Sequence, residues 1–173
     1  MMTCTLVATR YYVLECSSPD SLQFPATAVS STDPNELDHY AELDANVAFA
    51  CGTSGTITVG VTNKVLSSIK VGQNVNISGY LDVSAISSPV GTLTITGLPH
   101  TCRSGLKYDS ELSISVTGSS IPEGHYWSAY VINNTSTIRI RLIKKSDGSI
   151  VDASPYITTS SIIRIGGVYN ASS

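Results

Sequence analysis

From Gly55 to near its C-terminus the chain alternates apolar and polar residues in run after run. Thr56-Ile57-Thr58-Val59-Gly60-Val61-Thr62, Val75-Asn76-Ile77-Ser78, Thr92-Leu93-Thr94-Ile95-Thr96, Leu112-Ser113-Ile114-Ser115-Val116 and Ile138-Arg139-Ile140-Arg141-Leu142 all follow it. Successive side chains of an extended chain point to opposite faces, so each run reads as a strand with one face for a core and one for water. Tyr80-Leu81-Asp82-Val83, His125 to Ile132 and Ile162 to Ile165 add segments and bring the expected total to about eight or nine strands. Gly72, Ser88-Pro89, Gly97, Gly118, Pro122-Glu123-Gly124, Asn133-Asn134 and Ser146-Asp147-Gly148 fall between them and supply turns, with Asp147-Gly148 the clearest hairpin. Many short strands with frequent turns and no alternating helices predict an all-β fold, an antiparallel jelly-roll-like β-sandwich.

Composition agrees. Of 173 residues, 49 are Ile, Val or Thr, whose branching at Cβ suits a pleated surface better than a helix. With 42% hydrophobic and only 13% charged residues the chain buries a core and is not a strongly solvated, disordered polymer. One domain fits the length. A net charge of −3 argues against a nucleic-acid binder that works through a basic patch. No run reaches the roughly 18 apolar residues of a membrane span, and Arg10 and Glu15 interrupt the apolar start that a secretion signal would need.

The charge is unevenly placed. Residues 1–55 carry seven acids (Glu15, Asp20, Asp33, Glu36, Asp38, Glu42, Asp44) against Arg10 alone, a net of −6, whereas residues 56–173 carry nine bases and six acids, a net of +3. We therefore expect an acidic N-terminal arm over residues 1–55 and a sandwich over 56–173. In the arm, Cys4 to Cys16 reads as a strand, and Asp33-Pro34-Asn35-Glu36 combines a helix cap, a first-turn proline and an acid three residues on. This predicts a short helix from Pro34 to Asp44, with Leu37, Tyr40 and Ala41 on a face that docks on a neighbour.

Chemistry-bearing patterns are sparse. No dinucleotide fingerprint, P-loop, zincin helix, calcium loop or nucleophile elbow is present. Cys4, Cys16, Cys51 and Cys102 form no C-x-x-C pair and read as thiols, with Cys4 to Cys16 the first disulfide to test. His100 and Cys102 could face one side of a strand, but two ligands do not make a metal site, and His39 lies in an acidic, solvated setting. Arg139 and Arg141, followed by Lys144 and Lys145, form a basic strand face, either solvated or set against an acidic neighbour. Tyr126, Trp127 and Tyr130 read as core or subunit interface, with a sugar platform the alternative. Asp82, Asp109 and Glu111 are the carboxylates that a glycan-cleaving pair would draw on. The expectation is no enzyme, with no catalytic, cofactor or metal residue assigned. Sequons at Asn76, Asn133, Asn134 and Asn170 carry little without an export signal.

The succession Lys70-Val71-Gly72-Gln73-Asn74-Val75-Asn76-Ile77-Ser78-Gly79-Tyr80-Leu81-Asp82-Val83, then Pro89 to Pro99 with its Gly-x-Leu-x-Ile-x-Gly-Leu-Pro core, then Ile138-Arg139-Ile140 and a closing Ile163-Arg164-Ile165-Gly166-Gly167-Val168-Tyr169, resembles the β-sandwich head domain of bacteriophage virion surface proteins. That group includes tail-fibre tips and capsid cement, or decoration, proteins. The resemblance covers about two-thirds of the chain and implies a jelly roll that assembles as a homotrimer. An arm of 55 residues is short for a tail-fibre shaft, so the expectation is a cement protein. It would sit on the outer capsid surface and clamp major capsid protein subunits, with no nucleic-acid or membrane partner. The alternative is a receptor-binding tail tip whose loops, Ser119 to Gly124 and Ser146 to Ser149, recognise a host glycan or protein.

Overall fold

The computed structural model describes residues 40–105 and 110–172. Eleven strands account for most of them: β1 (Tyr40–Asn46), β2 (Ala48–Cys51), β3 (Ser54–Val59), β4 (Val65–Val71), β5 (Asn74–Val90), β6 (Leu93–Thr96), β7 (Ser110–Thr117), β8 (His125–Val131), β9 (Thr137–Lys144), β10 (Ile150–Asp152) and β11 (Ile162–Asn170). A single 3-10 turn, Ser154–Tyr156, completes the described structure. No helix among the described residues is long and apolar enough to cross a membrane.

Every pairing is antiparallel, and the strands run β1-β4-β5-β11-β7-β8-β9-β6-β2, with β10 on β9 and β3 on β5. The path bends at β7, whose Ser110–Leu112 pairs with β8 while residues further along, Ser113 to Thr117, pair with β11. Its two ends, β1 and β2, are separated in sequence by Val47 alone, whose amide donates to the Lys64 carbonyl at 3.0 Å. The result is the expected all-β sandwich, a sheet folded almost onto itself. Inward residues of both halves (Leu66, Ile77 and Leu81 from one, Leu93, Ile95, Ile138 and Ile140 from the other) join one core with Ile163 and Tyr169. Each such aliphatic side chain contributes about 1.5–3 kcal/mol by leaving water. Tyr169, fully buried, donates its hydroxyl to the His100 carbonyl at 2.8 Å, and burial pushes its phenol pKa up.

Nine strands, β3 to β11, begin at Ser54 or later, as the alternation predicts. The Asp147-Gly148 hairpin forms between β9 and β10. Gly148, at φ +71°, donates to the Lys144 carbonyl at 2.9 Å, and the Asp147 carboxylate accepts from the Ser149 amide at 2.9 Å and meets Lys144 Nζ at 3.3 Å. The bonds to Ser149, seconded by Lys144, draw the Asp147 pKa down to about 2.

Two local expectations fail. Ser88-Pro89 is not a turn: β5 runs through it for 17 residues, and the break is a bulge against β3, with Ser88 at φ +40° and a register shift between Ser54 and Thr56. Proline is tolerated there because a bulge needs no donor at that point. The helix expected over Pro34 to Asp44 is overturned where it can be seen, since Tyr40 to Asp44 lie in β1 and pair residue by residue with Val71 to Ser67 of β4. A lone ten-residue helix is marginal, whereas β1 adds a seven-residue ladder to an existing sheet. The rest of that helix, the Cys4 to Cys16 strand and any Cys4–Cys16 bond lie outside the described residues. Of the segment set apart as the arm, residues 40–55 supply β1, β2 and the start of β3.

Candidate binding groove

The outer face of the β4-β5-β11-β7 half carries a depression of about 610 Å³, within the roughly 300–1,000 Å³ typical of ligand sites. Register creates it. Ser67 of β4 stands opposite Ser78 of β5, Ser78 opposite Gly166 of β11, and Gly166 opposite Ser113 of β7, so four small residues line up across four strands. Three inter-strand spacings make that floor about 14 Å long. Large residues flank it. On one side Tyr80 of β5 faces Arg164 of β11, and Arg164 faces Ser115 of β7. On the other, Ile69, Asn76 and Val168 form a row, with Ile69 and Val168 about half exposed. Thr62 and Asn63, in the β3–β4 loop, close the Tyr80 end.

The Arg164 guanidinium lies over the Tyr80 ring, 5.2 Å from its centroid. Stacking holds the fork flat and leaves its N–H donors toward solvent. Among the described residues no carboxylate comes within ion-pair distance of Arg164, and it is the one charged residue lining the groove. At the opposite, β1 end Asp44 accepts a hydrogen bond from Ser67 Oγ at 2.6 Å. The groove thus offers hydroxyls, an amide, one aromatic ring and one cation with no protein counter-ion.

The other outer face, on β8 and β9, is already paired up. Arg141 meets Glu111 at 2.9 Å, reaches Ser128 Oγ at 3.3 Å and lies 4.7 Å over the Tyr130 ring. Tyr130 is consequently buried, and Arg139 stands beside it against a small cavity of about 160 Å³ that also touches Asp152. Tyr126 and Tyr130 face outward while Trp127, between them, packs on the core, so the three do not form one platform. Asp82 lies on β5 and Glu111 on β7, on opposite outer faces, so they do not straddle one cleft, and Asp109 lies outside the described residues. His100 sits in an irregular loop rather than a strand, and Cys102, buried, donates weakly to Asn133 Oδ1 at 3.8 Å. No trio of metal-ligating side chains occurs among the described residues. The loops Ser119 to Gly124 and Ser146 to Ser149 are brought together, since the Lys145 amide donates to the Gly124 carbonyl at 2.8 Å. Tyr80 and Arg164 were visible in the sequence only as outward residues of separate strands; their meeting depends on β5–β11 register.

The fold belongs to the class of antiparallel β-sandwiches with an open groove on one sheet. No protein-family model matches the sequence, and no curated protein matches it. Among solved structures the Dettilon tailspike protein contains a similar fold, with a TM-score of 0.68 and 20% sequence identity. The likeness covers 77% of this chain and 24% of the tailspike chain, so this sequence corresponds to about a quarter of that protein.

Proposed function

We propose that the chain is a structural component of a bacteriophage particle, displayed on its surface as the β-sandwich module of a tail-fibre or tailspike-type assembly that contacts the host envelope. The observation that carries this reading is the shared sandwich with a tailspike over 77% of the chain. The open groove with its uncompensated Arg164 supports a binding role. On this reading the assembly is a homotrimer.

A second reading is a capsid cement protein on the outer shell, holding major capsid protein subunits together. The charge division favours it, because the −6 of residues 1–55 suits a basic surface on a neighbour. Multiple linked contacts would then hold each copy through high effective concentration. Immunogold labelling of intact particles separates the two: label confined to the tail supports the adsorption module, label spread over the shell supports cement, and particles without label overturn both.

A further inference from the structure

We propose that the groove across β4, β5, β11 and β7 binds an oligosaccharide bearing a carboxylate, with the acid on Arg164 and a sugar ring against Tyr80. The inference rests on the adsorption reading and gives it a ligand class. Three observations point the same way. First, the floor row Ser67, Ser78, Gly166 and Ser113 leaves a channel about 14 Å long, open at the surface, whose rim donors and acceptors are hydroxyls and the Asn63 amide. Hydroxyls that both donate and accept match a ligand whose own groups do the same.

Second, Tyr80 is 37% exposed on a sheet, with its ring available beside the channel. An exposed ring with a polar tip contacts the C–H face of a sugar while leaving its hydroxyls to the serines. Third, Arg164 has no ion-pair partner among the described residues, and its planar fork accepts a carboxylate through two parallel N–H···O bonds. One guanidinium matches one negative charge. A phosphate monoester or polynucleotide would bring more charge than the groove compensates, onto a chain of net −3 with Asp44 on β1, one strand beyond the Ser67 end of the floor row. That carboxylate stands on β1, three inter-strand spacings or about 14 Å from the β11 strand that carries Arg164, and is placed to accept hydroxyl hydrogens from the neutral end of the ligand.

The test uses the full chain with sialyllactose, a trisaccharide bearing a single carboxylate, as the acidic probe and maltotriose as the neutral one, followed by calorimetry and by amide chemical shifts. The expected result is binding of sialyllactose with shifts at β5, β7 and β11. Arg164→Gln should weaken the acidic probe about ten-fold or more and abolish the preference over maltotriose. Tyr80→Ala should weaken both probes while leaving the urea midpoint unchanged, which a merely structural defect would not do, and Tyr80→Phe should bind both as the parent does. Arg139→Gln, on the opposite face, should change nothing. The proposal is overturned by absence of sialyllactose binding, by equal losses in Arg164→Gln and Arg139→Gln, or by a change of oligomeric state in Arg164→Gln, which would assign the face to a contact between copies. Tail labelling without saccharide binding removes the ligand class alone; saccharide binding with label on the shell removes the tail position alone.

Discussion

Gly79 ties the groove to the core, and adding one methyl there perturbs the fold in a way the geometry quantifies. Gly79 pairs with Leu66 across β4 and β5 and faces inward between Ile77 and Leu81. A Cβ built on it would stand 1.9 Å from Leu66 Cδ2, and Leu66 has no exposed surface into which to retreat. Overpacking of this kind costs about 1–3 kcal/mol, offset by about 0.4–1 kcal/mol because alanine restricts the unfolded chain. Gly79→Ala should therefore lose about 1–2 kcal/mol. Leu66→Ala leaves a cavity and should lose about 2–5 kcal/mol. In the double variant the new methyl occupies part of that cavity, so the combined loss should fall short of the sum by about 0.5–3 kcal/mol. Urea unfolding at one fixed protomer concentration reads this out. With a slope of about 2 kcal/mol/M, Gly79→Ala should lower the midpoint by about 0.5–1 M. An unchanged midpoint for Gly79→Ala, or strict additivity in the double variant, would refute the packing argument.

Tyr169→Phe removes the hydroxyl that bonds the His100 carbonyl and should cost about 1–2 kcal/mol in the same assay; a neutral effect would mean the carbonyl finds another donor. In an alkaline absorbance titration Tyr169 should ionise above the usual tyrosine range, and a normal midpoint would contradict its burial. At the acid end, the Asp147 pKa is lowered from 3.8 to about 2, so its stabilising contribution is complete above the higher value and is lost as pH falls through about 2. A carboxyl NMR titration should show that low midpoint and its rise toward 3.8 in Ser149→Ala; no movement would remove Ser149 as the leading cause.

Strand content and turn chemistry were legible because both are local. Alternation needs only neighbouring residues, and the hairpin at Asp147-Gly148 needs only a short residue with a carboxylate before a glycine able to adopt φ +71°. Tyr40 to Asp44 misled for the same local reason. A cap, a proline and a spaced Leu37, Tyr40 and Ala41 satisfy the rules of a helix, yet Tyr40, Glu42 and Asp44 also alternate with Ala41, Leu43 and Ala45, and the waiting edge of β4 favours the strand. Ser88-Pro89 misled because a bulge and a turn draw on the same residues.

The groove lay beyond such reading, and the reason is physical. Ser67, Ser78, Ser113 and Gly166 are unremarkable members of four polar faces, and a shift of one residue in any pairing would turn them inward. Their alignment is held by the buried partners alternating with them: Leu66, Ile77, Leu112 and Ile165 occupy the core only in the observed register. The same lock sets Arg164 over Tyr80, since both follow from the β5–β11 pairing of Ile163 with Leu81. Core packing thus specifies the outer face without touching it. It follows that substitutions on the groove can change binding with little effect on stability, whereas a slip in the core would erase the groove together with the fold.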